Sequence, residues 1–151
     1  MTPGCISCAG LAGSPRISPG PPILIGEYWQ VEHAYPSKLL WWLVIVLRRH
    51  AVALHDLSHE EFAEFGVILE RTVRVLHEAV GPAKEYVACY AEQQGFEHIH
   101  FHVVPRAANL PEELRGAGSF DLLRVAQSGA VDPEAVRAFC ESLQKRMRTS
   151  T

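Results

Sequence analysis

The chain has 151 residues and a mass of 16.8 kDa, a size typical of one domain, so we expect residues 1–151 to form a single domain. Its 48% hydrophobic and 21% charged residues exclude wholesale disorder. The net charge of −3 argues against nucleic acid as the main partner. The longest apolar run, residues 39–47, is far shorter than the about 20 residues of a membrane helix. No signal-peptide pattern is present, so we expect a cytoplasmic protein with reduced thiols and no membrane partner.

The first third of the chain predicts a loop followed by strands. Residues 1–22 are rich in Gly, Pro and Ser, which predicts a loop. Residues 23–35 predict two short strands around a turn at Gly26-Glu27. Residues 41–47 are continuously apolar, which is typical of a strand buried on both faces.

The clearest predicted helix spans residues 58–80. Ser58 and Glu61 form a capping-box pattern, and apolar residues then recur at spacings of three and four. Gly81-Pro82 ends the pattern. Two strands at 84–91 and 96–105 are expected to follow as a hairpin.

The C-terminal part predicts one further helix. Residues 106–131 look irregular, with a helical turn at 111–115. A last helix over 132–147 begins with Asp132 as N-cap and Pro133 at the first helical position. The order of the predicted elements indicates an antiparallel α+β fold.

The segment EHIHFHVVPR, residues 97–106, carries the strongest chemical signal. His98, His100 and His102 alternate with apolar residues, so in a strand the three imidazoles would share one face. Imidazole binds metals, transfers protons near neutral pH and attacks electrophiles. A metal site made by all three is disfavoured, because neighbouring ligands on one straight strand converge poorly on a tetrahedral ion. The remaining alternative to a functional site is a strand whose three histidines simply face solvent.

A second signal lies at the N-terminus. Cys5 and Cys8 have the spacing that lets two thiolates bind one Zn²⁺, although redox pairs and chance give the same pattern. The spacing alone does not identify two further ligands.

The sequence HIHFHVV resembles the motif of the histidine-triad (HIT) superfamily of nucleotide hydrolases and transferases. The stretch WLVIVLRRHAVALHDLSHEEFAEF, residues 42–65, resembles the buried strand and following helix of that family, and CISC resembles its zinc-bearing branch. The resemblance implies an α+β HIT-type domain in which an antiparallel sheet of about five strands is crossed by a long helix, with another helix at the C-terminus. It also implies a homodimer.

The resemblance also implies residue roles. His100 would attack the α-phosphorus of a nucleotide and form a covalent nucleotidyl-histidine, and His102 would hydrogen-bond the phosphate or assist the leaving group. The expected structural zinc ligands are Cys5, Cys8, His50 and His98. Expected substrate contacts are Glu32, His33, Gln94 and Arg106.

Several positions depart from the family pattern. Trp42 stands where many relatives have a histidine, and Val46-Leu47 stands where a proline is usual. The loop before the triad lacks the customary Asn and Ser. Reaction type is therefore better supported than substrate, and nucleoside phosphoramidates and dinucleoside polyphosphates are both expected substrate classes. Two alternatives are a phosphorylase that uses inorganic phosphate as acceptor and a zinc-stabilised nucleotide-binding module with little turnover.

Overall fold

A computed structural model describes residues 2–13 and 15–149. Its helices and strands run in the order α1 (Ile6–Leu11), β1 (Leu24–Ile25), β2 (Trp29–His33), β3 (Leu43–Leu47), α2 (His59–Val80), β4 (Lys84–Ala88), β5 (His100–Arg106) and α3 (Pro133–Thr149). Short 3₁₀ turns lie at Leu54–Asp56, Glu112–Leu114, Gly116–Leu122 and Gln127–Gly129. The α+β class is confirmed. Among the described residues, no helix has the length and apolar character needed to cross a membrane.

The strands form one antiparallel sheet in the order β1-β2-β3-β5-β4, which confirms the five-stranded sheet within the described residues. Strand β3 lies at its centre, where Val44 is opposite His102 and Val46 is opposite His100. Residues directly opposite each other share a face, so both valines lie beside the histidines. The central position of β3 explains its continuous apolar sequence.

The two faces of the sheet differ. One face packs against α2 and α3 and forms the main core, to which Trp29, Leu76 and Leu143 contribute fully buried side chains. The other face holds a smaller apolar cluster around Trp42 and Val104. The expected long helix across the sheet and the C-terminal helix are both confirmed.

The capping box at the start of α2 forms as expected. Ser58 Oγ accepts from the Glu61 backbone N–H at 3.3 Å, and Glu61 Oε2 accepts from the Ser58 N–H at 2.8 Å. Gly81 ends the helix in the left-handed conformation at φ 63°. Local chemistry therefore determines both ends of this helix.

Two expectations about local structure differ from the structure. The predicted N-terminal loop contains the helix α1, which Cys5 caps by accepting from the Cys8 N–H at 3.3 Å. The predicted strand over 96–105 begins only at His100. Before that point His98 makes a different contact, in which its Nε2 donates to the Leu47 carbonyl oxygen at 2.6 Å.

Candidate active site and metal cluster

The candidate active site is the pair His100 and His102 on β5. Their side chains project from the face of the sheet opposite α2, while Val103 projects into the main core and Phe101 packs against it. The apolar residues of the alternating pattern thus pack β5 against the main core, and the two imidazoles lie on the opposite face of the sheet. His102 is 8% exposed and His100 is half-buried.

Hydrogen bonds orient the two rings. His100 Nδ1 lies 2.7 Å from the carbonyl oxygen of His98. A carbonyl oxygen only accepts, so His100 Nδ1 carries the proton and Nε2 of the neutral ring keeps its lone pair. His100 Nε2 lies 3.1 Å from His102 Nε2. The nitrogen with nucleophilic character therefore faces the second histidine.

Burial favours the neutral form of both imidazoles. It lowers the pKa of His100, and it lowers the pKa of His102 to about 3, with a further contribution from nearby His100. A neutral imidazole can attack an electrophile, whereas an imidazolium has no free lone pair. The environment therefore favours the form of His100 that can act as a nucleophile.

The histidine pair opens into a cleft of about 630 Å³. The floor includes Val44 and Val46 of β3, and one wall is formed by residues of the 3₁₀ segment and its continuation, among them Phe120 and Arg124. The N-terminal segment also lines the cleft, with Ser7, Gly10, Leu11 and Ile17. This volume lies within the range of small-molecule sites.

Two of the expected substrate contacts line this cleft. Glu32 is 7% exposed, accepts from Gln30 Nε2 and lies 3.5 Å from Arg16 of the N-terminal segment. His33 Nε2 donates to the Leu40 carbonyl oxygen at 2.7 Å. Burial lowers the pKa of His33 to about 4, and its Nδ1 is the one buried side-chain nitrogen or oxygen without a hydrogen-bond partner in the described part of the chain.

The four expected metal ligands form a second group beside the active site. The ligand atoms of Cys5, Cys8, His50 and His98 all lie within 4.8 Å of one another. Cys8 Sγ lies 3.4 Å from both His50 Nδ1 and His98 Nδ1, and Cys5 Sγ lies 3.5 Å from His98 Nδ1. Three separate parts of the chain, α1 and the residues after β3 and before β5, therefore converge at one point.

This geometry fits a tetrahedral zinc site. Zn–S and Zn–N bonds of about 2.3 and 2.0 Å place sulfur and nitrogen ligands about 3.5 Å apart. His98 Nε2 donates to the Leu47 carbonyl, which leaves Nδ1 free to bind a metal. The donor set of two thiolates and two imidazoles is also one that Zn²⁺ prefers.

The HIT domain model matches residues 30–109, which are 80 of the 151 residues and include His50, the long helix and the histidine motif. The chain belongs to the HIT domain family. This superfamily includes nucleotide hydrolases and transferases. No protein with a curated description matches this HIT chain significantly.

Solved structures share the fold of this HIT chain. A Zn-bound histidine triad family protein from Mycobacterium smegmatis is 19% identical with a TM-score of 0.67, and the match covers 97% of each chain. A histidine triad protein from Bradyrhizobium japonicum is 22% identical with a TM-score of 0.64, covering 84% of this chain and 90% of that one. The diadenosine triphosphate hydrolase of Plasmodium falciparum, solved in complex with Cyclomarin A, is 12% identical with a TM-score of 0.64, covering 85% and 77%.

The other two expected substrate contacts lie outside the HIT cleft. Gln94 is exposed in the turn between β4 and β5, where its neighbour Gln93 lines the cleft instead. Arg106 ends β5 opposite Lys84, and its guanidinium donates to the Ala107 carbonyl at 3.3 Å. It lies six residues along the strand from His100, about 20 Å away in extended chain.

Sequence reasoning missed parts of the cleft wall. Phe120 and Arg124 lie in the irregular segment, and Ser7 and Leu11 lie in a predicted loop. No periodic pattern marks these residues, because they reach the cleft through tertiary contacts. Arg124, which pairs with Asp121 at 2.9 Å, is an ordinary charged residue in the sequence. Only the fold shows that it lines the cleft.

Proposed function

We propose that this HIT protein transfers or hydrolyses nucleoside monophosphoryl groups through a covalent nucleotidyl-histidine on His100. The observation that carries the proposal is the orientation of His100, whose Nδ1–H is bound to the His98 carbonyl, so that Nε2 keeps its lone pair beside His102 in a residue that lines the cleft. The substrates proposed are nucleotide conjugates such as phosphoramidates and dinucleoside polyphosphates.

The reaction would proceed in two displacements. His100 Nε2 attacks the α-phosphorus, the N–P bond forms, and the bond from phosphorus to the leaving group breaks with its electron pair on the leaving group. The leaving group takes a proton from solvent. Water then attacks phosphorus and releases a proton, and the N–P bond breaks, which returns His100 to its neutral form. Inorganic phosphate in place of water would make the enzyme a phosphorylase.

His102 would stabilise charge in both displacements. A hydrogen bond from its ring to a non-bridging phosphoryl oxygen or to the departing atom strengthens as negative charge develops. The burial of His102 makes such a bond stronger than it would be in water. A positioned donor can therefore supply part of the charge stabilisation that basic side chains would otherwise provide.

Zinc is proposed as a structural cofactor held by Cys5, Cys8, His50 and His98. When bound, the ion supplies a cross-link that joins α1 to the ends of β3 and β5. The same N-terminal segment contributes Ser7 and Gly10 to the cleft, so the proposed ligands Cys5 and Cys8 also hold one cleft wall.

The remaining expectations stay proposals. Glu32 and His33 are proposed to contact the nucleoside, since both line the cleft with His100. Gln94 and Arg106 do not line the cleft, so their positions do not support the predicted contact with the substrate. A homodimer and a cytoplasmic location also remain predictions.

Quenching with an alkaline denaturant during turnover tests the proposal, because the N–P bond of a nucleotidyl-histidine survives alkali but is cleaved by acid. A diadenosine polyphosphate labelled at the α-phosphate should leave label on the protein, and mass spectrometry should locate it on His100. His100→Ala should abolish the adduct and lower kcat by on the order of 10³-fold or more. His77→Ala, on the exposed surface of α2, is the control and should keep both.

Parallel assays with and without inorganic phosphate identify the acceptor. Phosphate-dependent release of a nucleoside diphosphate from the adduct would indicate a phosphorylase. Nucleotide binding without turnover on phosphoramidates and polyphosphates would support the binding module and contradict the proposed catalysis.

A further inference from the structure

Trp42 lies beside His102 on the same face of the sheet, immediately before β3. Its side chain is fully buried and packs edge-on against His102 and Phe120, with ring centroids 5.7 and 5.2 Å apart. Trp42 does not line the cleft, so it has no direct access to a ligand there. Its one polar atom, Nε1, lies 3.1 Å from His102 Nδ1.

The direction of this hydrogen bond is unambiguous. An indole N–H only donates, so His102 Nδ1 must accept and cannot carry a proton in this arrangement. The proton of the neutral His102 ring is therefore on Nε2. An imidazolium at this position would direct an N–H at another N–H among buried side chains, at the cost of an unsatisfied buried donor.

The rest of the pair agrees with this assignment. His102 Nε2–H then donates to His100 Nε2 at 3.1 Å, which requires His100 Nε2 to accept. The bond from His100 Nδ1–H to the His98 carbonyl, at the opposite end, independently requires the same form of His100. Two fixed ends, an indole donor and a carbonyl acceptor, thus permit one arrangement of protons between them.

We propose that Trp42 is a positioning residue that holds His102 in its Nε2–H tautomer, so that His102 serves as a neutral hydrogen-bond donor. The inference rests on the proposed function for its kinetic consequence. The position of the proton on His102 can be measured whether or not the protein has turnover. The donor proton lies next to the nitrogen that attacks phosphorus, so it would be close to the oxygens of a phosphoryl group bonded there, where negative charge develops.

The tautomer can be read directly by NMR. In protein labelled with ¹⁵N-histidine at pH 7.5, two-bond ¹H–¹⁵N correlations distinguish an Nδ1–H ring from an Nε2–H ring. Wild type should show His102 protonated at Nε2 only, with assignment by the loss of its signals in His102→Gln. A proton on His102 Nδ1 in the folded wild type would overturn the inference without any variant of Trp42.

Trp42→Phe tests the cause, because it keeps an aromatic ring and removes the donor. We expect His102 to populate both tautomers, and kcat to fall about tenfold while KM changes less than about threefold, in line with the loss of one buried hydrogen bond. The matched control is Trp41→Phe, whose ring packs against the helix-side core. It should leave both the tautomer and kcat unchanged.

The two proposals fail in different ways. If Trp42→Phe folds and keeps both the wild-type tautomer and kcat, the role of Trp42 is contradicted while the nucleotidyl-histidine stands. If wild type has no turnover, the proposed function fails, and the tautomers of wild type and Trp42→Phe still decide whether the indole controls His102. If Trp42→Phe does not fold, the wild-type spectrum alone decides the assignment.

Discussion

His98 and His100 are two positions apart on the chain, and a single residue connects the metal cluster to the candidate nucleophile. His98 Nδ1 lies 3.4 Å from Cys8 Sγ, while the His98 carbonyl accepts from His100 Nδ1 at 2.7 Å. A shift of His98 would therefore also move the group that orients His100.

Cys8→Ser should remove zinc and lower stability. Cys8 Sγ lies 3.4 Å from two imidazoles, so it is central to the cluster. Metal analysis of freshly purified protein should find about one equivalent of zinc in wild type and much less in the variant. Cys89→Ser, outside the cluster, should keep its zinc. Undiminished zinc in Cys8→Ser would contradict the ligand set.

His102→Gln should retain more activity than His102→Ala. If His102 acts as a neutral donor, a glutamine amide can supply an N–H in its place, whereas alanine supplies nothing. We expect kcat of the glutamine variant to exceed that of the alanine variant at least about tenfold. Equal losses in both, with His100 still able to form the adduct, would mean that the imidazole ring itself is required.

Gly20→Ala should destabilise the protein by about 1–3 kcal/mol because it overpacks the contact between the N-terminal segment and α3. A Cβ at Gly20 would lie 2.6 Å from Cys140 Sγ and 2.9 Å from Cys140 Cβ. Urea unfolding should show a smaller cost in a Cys140→Ala background, where the nearest atom is absent. Gly66→Ala on α2, with nothing within 4 Å, should instead stabilise slightly. Equal costs of Gly20→Ala in both backgrounds would contradict the contact.

Glu64→Ala should cost about 2 kcal/mol of unfolding free energy, since hydrogen bonds to charged groups are stronger than neutral ones. The Glu64 carboxylate accepts from the backbone N–H groups of Glu27, Tyr28 and Trp29 at 2.7, 2.7 and 3.0 Å and so ties α2 to the β1–β2 turn. Glu70→Ala, which loses only an exposed ion pair with Arg74, should cost less than about 0.5 kcal/mol. Similar losses for the two variants would argue against the turn contact.

The buried His33 should make the protein less stable as pH falls. Its pKa is lowered from 6.5 to about 4, so below about 6.5 the unfolded chain takes up a proton that the folded chain does not. The resulting loss should accumulate between pH 6.5 and 4, reach about 3 kcal/mol and remain constant below that range.

His33→Gln should remove this part of the pH dependence, because the amide can still donate to the Leu40 carbonyl but does not titrate. Urea unfolding of zinc-loaded wild type and variant at pH 7.5, 5.5 and 4.5 compares the two slopes. Parallel slopes would show that His33 does not titrate in this range.

The sequence by itself determined much of the local structure. The periodicity and capping residues of α2 specify a helix through interactions within a few residues, and the alternation after His98 specifies the strand that carries His100 and His102. These features depend on short-range contacts, which a linear pattern records directly.

Tertiary structure decided what surrounds those elements. Helix α1 has an apolar pattern too short to predict, and it forms where Cys5 and Cys8 meet His50 and His98. The bond from Trp42 to His102 joins residues 60 positions apart, so no local pattern encodes it. The donors and walls of the cleft depend on which distant segments the packing of the core brings together, and the proton arrangement proposed for the histidine pair depends on the hydrogen bonds that this packing permits.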